Sequence, residues 1–223
     1  MSSQGTVRVA VTRCDDYDEE KVRKAVLDAV SLIGGLDDVI RPGDRVLLKA
    51  NLLAPADPRE SVTTHPSVVR AVIELVREAG GVPIVADSPG YFYAGGKCRA
   101  LTMCGLKEVA DEMGVESTQF EAMENGFVET EVPGGVYLDR IFAARLALEA
   151  DVIVTLPKLK THASTWYTGE VKHMFRAVAT HTRTEDQKFA TQAPLMGYGD
   201  GISTLLKHPL ASTAAETEMK HKG

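Results

Sequence analysis

Cysteine is scarce in this chain: Cys14, Cys98 and Cys104 are the only three. They cannot all pair with one another, no two form CxxC, and no Cys/His grouping has zinc-finger or ferredoxin spacing. The reading is free thiols in a reducing compartment, with no iron–sulfur cluster held by this chain alone. Positive charge is also short, with 25 Lys+Arg against 31 Asp+Glu and a net charge of −6. That balance excludes the broad basic field on which non-specific nucleic-acid binding depends. No apolar run approaches the roughly 18 residues that span a bilayer. The opening MSSQGTVRVAV has neither a basic leader nor a separate apolar leader core. The expectation is therefore a cytoplasmic protein with no nucleic acid and no membrane as partner.

What the chain does contain is a regular alternation of patterns. Its 223 residues, 44% hydrophobic and 25% charged, suffice for one large globular domain. TVRVAVTR (6–13) alternates and is rich in Val, which predicts a strand. In residues 18–35, Asp18 is a plausible N-cap, Val22, Val26, Ala29, Val30 and Ile33 form an apolar stripe, and Gly34-Gly35 stops the helix. RPGD (41–44) turns the chain into a second strand, RVLLKAN (45–51). THPSVVRAVIELVREAGG predicts a helix with Thr64 or His65 as cap, Pro66 in the first turn and Gly80-Gly81 at its end. VPIVADS (82–88) is a third strand, so strands and helices alternate as in parallel βαβ units.

Later segments are less regular. A glycine-rich stretch (89–97) precedes a helical segment ending near residues 106–114. GFVETEVPGGVYLDR predicts two short strands about Pro133-Gly134-Gly135, a small antiparallel excursion at about 115–140. IFAARLALEA (141–150) reads as helical and DVIVTL (151–156) as a buried strand. The fold class expected is α/β, a mostly parallel Rossmann-like sheet covered by helices. Residues 1–210 are read as a single domain, and the polar 211–223 as a disordered tail.

In open parallel sheets, ligands bind outside the carboxyl ends of the strands. Lys49 and Asn51 end the second strand, Asp87 and Ser88 the third, and Lys158, Lys160 and His162 follow the strand at 151–156. Thr168 can cap a helix holding Val171, Lys172 and Phe175. Such a helix N-terminus beside Lys158, Lys160 and Lys172 would receive a carboxylate or phosphate. Trp166 and Tyr167 can wall a pocket or pack in the core. His162 is open between base, ligand and loop hydrogen-bonder. The glycine loop GYFYAGGKC misses the phosphate-loop motif GxxxxGK[ST], since Gly96 stands at the lysine position and Cys98 follows Lys97. No GxGxxG follows a strand, so neither an ordinary nucleotide hydrolase nor a dinucleotide fingerprint is supported.

KANLL, THPSVVRAVIELVREAGG, VADSPG, DVIVTLPKLKTH and TGEVKHMF, in this order, resemble the motifs of the domain of unknown function 362 family over about residues 6–176. This bacterial and archaeal family is often described as iron–sulfur cluster-binding, and some members carry a ferredoxin-type module with CxxCxxC runs. The present chain lacks those cysteines, so a 4Fe–4S cofactor does not carry over and the cofactor is unknown. The family usually shows Asn and Gly where this chain has His173 and Arg176. A more distant likeness is to the nickel-pincer-dependent 2-hydroxyacid racemases. His162 and Lys172 have the spacing of a histidine and lysine of those enzymes, and the likeness implies a proton shuttle and a covalent cofactor tether. The racemases' second histidine motif is absent, with DSPGYF in its place.

Together these readings favour an enzyme of redox or isomerase type. Its cleft would bind an anionic small molecule, with His162 and Lys172 as catalytic candidates. Lys49, Asn51, Asp87, Ser88, Lys158, Lys160 and Thr168 are the binding candidates; a metal ligand set is unknown. The alternative is a non-catalytic accessory protein that binds or delivers a metal, cofactor or iron–sulfur cluster. A homo-oligomer or a redox partner protein is compatible with either.

Overall fold

Four short runs pair side by side in the computed structural model, which describes residues 8–90, 98–133, 140–162, 166–169 and 173–178. They are β1 (Arg45–Ala50), β2 (Val82–Asp87), β3 (Glu116–Gln119) and, after the hairpin of β4 (Phe127–Glu131) and β5 (Arg140–Ala144), β6 (Val152–Leu156). The sheet order is β3-β2-β1-β6, with every pairing parallel. RVLLKA and VPIVAD are almost continuously apolar because both faces of these strands are covered. Val46, Leu48, Ala50 and Val85 face helices α2 (Pro66–Glu78), α3 (Arg99–Met103) and α4 (Leu106–Glu112). Leu47, Ile84 and Ala86 face the opposite layer, made of β5, α5 (Arg145–Glu149) and Met174, Ala177 and Val178.

The helix signals act as their chemistry requires. In α1 (Glu19–Ile33) the Asp18 carboxylate accepts from the Lys21 N–H at 3.1 Å, and Gly34 closes the helix at φ 118°. In α2 the His65 ring accepts from the Ser67 N–H at 3.2 Å, and Pro66 occupies the first turn where no N–H is needed. α1 packs on α2 at the outside of the sheet.

Three expectations are corrected. No strand forms over 8–13: Val9 and Val11 are 82% and 88% exposed, and the Thr12 hydroxyl donates to the Ala25 carbonyl of α1 at 2.9 Å. A Val-rich alternation makes a strand only with a neighbour to complete its ladder, and none among the described residues pairs with it. Residues 116–119 join the main parallel sheet as β3, so the antiparallel excursion is the β4–β5 pair and reaches Ala144. The helix expected over 141–150 begins only at Arg145. Ile141 and Ala143 are buried, and residues 140–144 pair with β4, so tertiary pairing overrides their helix propensity. A second antiparallel pair, β7 (Lys160–His162) with β8 (Trp166–Thr168), follows β6. The turn at 134–135 and the expected tail lie outside the described residues.

Entry to the hairpin is tight. The Gly126 N–H donates to Met123 at 3.2 Å, and the Gly126 carbonyl accepts from Arg145 at 2.8 Å. A Cβ at Gly126 would overlap the backbone carbonyl of Phe120 and touch the Met123 side chain at 3.2 Å. Gly126→Ala is thus expected to lower stability by about 1–3 kcal/mol, seen as a fall in the urea midpoint at constant slope. An unchanged midpoint would show that the turn yields freely.

Candidate functional site

Parallel pairing places the carboxyl ends of β1, β2 and β6 along one edge of the sheet. From β1 the chain moves outward through β2 and β3, and then returns to the other side of β1 as β6. This reversal of strand order is the place where open α/β sheets form a crevice. A cleft of about 230 Å³ lies there, with Asn51, Asp87, Lys160, Thr161, His173 and Arg176 in its wall.

Behind the cleft sits a buried charge pair. Lys49 lies two residues after Leu47 and so points to the same inner face, where its side chain is 0% exposed. Its ammonium donates to Asp87 Oδ1 at 2.5 Å and to the His173 carbonyl at 2.9 Å. Asp87 Oδ2 accepts from the Leu52 N–H at 2.9 Å and lies 3.7 Å from His173 Nε2. Burial alone would raise the Asp87 pKa, but the Lys49 charge and the His173 contact outweigh it and hold the carboxyl below its ordinary value. Asp87 is therefore an anion at neutral pH, and its charge is matched from behind by Lys49.

Other cleft residues are fixed through backbone carbonyls. The Asn51 N–H donates to Thr64 Oγ1 at 2.8 Å and its amide Nδ2 to the Val62 carbonyl at 3.3 Å. Thr64 Oγ1 in turn donates to the Leu156 carbonyl at 2.5 Å, tying the end of β1 to the end of β6. Lys160 Nζ donates to the Val62 carbonyl at 2.5 Å. Arg176 Nη1 donates to the Pro89 carbonyl at 3.1 Å. His173 Nε2 is 3.0 Å from the Ala50 carbonyl oxygen.

The sequence candidates divide accordingly. Asn51, Asp87 and Lys160 meet at the cleft, while Lys49 supports it from the interior. Ser88 is also buried at this edge, and its Oγ has no hydrogen-bond partner among the described residues. Lys158 turns elsewhere: its ammonium donates to the Tyr17 hydroxyl at 2.5 Å and stands 5.0 Å from the centre of that ring. Tyr17 stacks on His65 at 3.8 Å, and burial followed by the Lys158 charge lowers the His65 pKa. His162 is in β7 opposite Trp166, and Thr168 is in β8 opposite Lys160. Thr168 thus ends β8, and the helix expected after it falls at residues 170–172, outside the described residues. Lys172 lies outside the described residues. A larger hollow of about 730 Å³ between residues 12–17, α1 and α2 contains none of these candidates.

Two cleft residues escaped the sequence reading, His173 and Arg176. The signal available was their departure from the Asn and Gly usual in the last motif. Assigning them to the cleft required knowing that residues 173–178 return under the sheet edge, where Met174, Ala177 and Val178 bury.

The donors do not fit an iron–sulfur cluster. Such clusters take about four thiolates, and this chain has three cysteines. Cys104 is buried, and burial pushes its thiol up to about 11, so it is neutral. Among the described residues, no three His, Cys, Asp or Glu side chains gather as a metal site. No helix among them is long and apolar enough to cross a membrane.

The chain is 34% identical over 170 residues to a thylakoid-associated protein of Synechocystis sp., covering 76% of this chain and 50% of that relative. It thus spans half the length of the curated relative it matches. The family model described as "Domain of unknown function (DUF362)" matches residues 46–216, from β1 past the cleft, and the chain belongs to that family.

Proposed function

We propose that this protein is an enzyme that binds a small anionic substrate or cofactor in the cleft and performs acid–base or redox chemistry on it. The observation that carries this reading is the charge layout at the strand ends. Lys160, Arg176 and His173 border the cleft, and the Asp87 carboxylate beside them is already matched by Lys49. An anion entering there meets the cationic donors of Lys160 and Arg176, and the nearest negative charge is compensated from behind.

A second reading draws on the Synechocystis relative, whose name records an association and not a reaction. On that reading the chain is an accessory protein that carries an anionic cofactor to a partner, and it works in the cytoplasm or at a membrane periphery. Both readings require the same cleft to bind an anion, as a monomer or an oligomer.

Thermal scans with phosphate, acetate and citrate, against a chloride control, test this binding. A ligand at a hundred times its dissociation constant stabilises by about 2.7 kcal/mol, roughly 5–10 °C for a chain of this size. We expect a rise of that order with at least one anion, and its loss in the Lys160→Met, Arg176→Met double variant. A wild-type protein indifferent to every anion, or a double variant that responds fully, would overturn the reading.

A further inference from the structure

We infer that the cleft selects anions that also carry a hydrogen-bond donor, a hydroxyl above all, and that Nδ1 of His173 receives it. This deepens the proposed anion site and rests on it. The starting point is the other ring nitrogen. Nε2 stands 3.0 Å from the Ala50 carbonyl oxygen. A carbonyl has no proton to give, so the contact is a hydrogen bond only when Nε2 carries one. Asp87 Oδ2, at 3.7 Å from the same nitrogen, favours the proton there as well. A neutral imidazole has one N–H, and with it fixed on Nε2, Nδ1 is left as a bare lone pair.

That lone pair is unused among the described residues. His173 is 3% exposed, and Nδ1 has no hydrogen-bond partner among the described residues. A buried acceptor without a partner forfeits its hydration for nothing, and native proteins keep few of them without a use. The ring is held rigidly by the contacts of Nε2 and, through its own carbonyl, by Lys49 at 2.9 Å. His173 borders the cleft together with Asn51, Lys160 and Arg176, which are donors. The wall thus offers donors for an anionic group and one fixed acceptor. A plain anion leaves Nδ1 unpaired, whereas an anion with a nearby hydroxyl answers both. The cleft volume of about 230 Å³ is below the range of roughly 300–1,000 Å³ typical of drug-sized ligands, which limits the choice to small molecules.

Selection of this kind is strong, because a site built to pair a ligand hydroxyl rejects the analogue that lacks it. The test is calorimetric titration of the full chain with matched pairs: glycerol phosphate against propyl phosphate, and glycolate against acetate. In the wild type, the hydroxylated member of at least one pair should bind about tenfold tighter or better. His173→Phe should bring that ratio close to one. Equal affinities within every pair would overturn the inference and leave the anion site standing. No binding of any anion would remove the anion site itself, and this inference with it. Because the Phe variant can lose its fold, nitrogen-15 NMR of the wild-type imidazole gives a second reading. It should show a bare Nδ1 and a protonated Nε2, with Nδ1 shifting on addition of the hydroxylated ligand only. A proton found on Nδ1 of the free protein would also overturn it.

Discussion

Replacing Lys49 with methionine should destabilise the protein by about 3–5 kcal/mol in urea unfolding. Methionine fits the space nearly as well, so the loss is electrostatic and not a matter of volume. Lys49 and Asp87 are both sealed from solvent, at 0% and 2% side-chain exposure. Without the ammonium, Asp87 is left as a buried anion held, among the described residues, by the Leu52 N–H and by His173. Removing both charges, as in Lys49→Met with Asp87→Leu, should recover much of the loss, because buried pairs contribute little beyond the cost of desolvating them. A single variant as stable as the wild type would show that water reaches the pair. The acid side gives an independent check. The folded pKa of Asp87 lies below its ordinary value, so its contribution is complete above about pH 4. That contribution should fade as pH falls through the lower folded value. In Asp87→Asn this portion of the acid loss should be missing, from a baseline already lowered by the unpaired lysine.

The pair also explains why the site edge is built from the strands themselves. Lys49 joins β1, β2 and the segment after β8 through one ammonium, since it bonds Asp87 and the His173 carbonyl together. The cleft wall contributed by residues 173–178 is thereby fixed to the sheet at its charged end. Its apolar end is fixed by Met174, Ala177 and Val178.

Much of this was legible in the residues. Asp18, Gly34 and Pro66 announce where α1 and α2 begin and end, because caps act within a few residues and need no tertiary partner. β1, β2 and β6 were legible as apolar runs too short for helices. What was lost depended on distant partners. Residues 8–13 have a strand pattern but no neighbour among the described residues, and residues 141–144 have a helical composition but a neighbour in β4. At the site, the shared edge of Asn51, Asp87 and Lys160 followed from the rule for parallel sheets alone. The direction of each lysine did not. Lys49 goes inward because its position matches that of Leu47, while Lys158, a similar residue after a strand, goes to Tyr17. Only the packed structure separates a lysine that supports a cleft from one that rests on a tyrosine.

The largest purely apolar effect is expected at Phe120. Its ring is 0% exposed between β3 and the β4–β5 layer, with the Phe127 ring edge-on at 6.5 Å. Phe120→Ala should cost about 3–5 kcal/mol, the transfer of the ring plus the hollow it leaves. Phe120→Leu should recover a large part of that by filling most of the volume. The same apolar cluster includes Met174, next in sequence to His173, and Ala177, next to Arg176. Loosening it therefore frees the segment that carries both cleft residues, while the Lys49–Asp87 pair stays on the rigid sheet. In the Ala variant, at a temperature where it is still folded, anion stabilisation should shrink along with global stability. In the Leu variant it should return in step. Urea unfolding read beside thermal scans with phosphate separates the two effects. A full anion response in a strongly destabilised Phe120→Ala would show that residues 173–178 are held by the charged end alone.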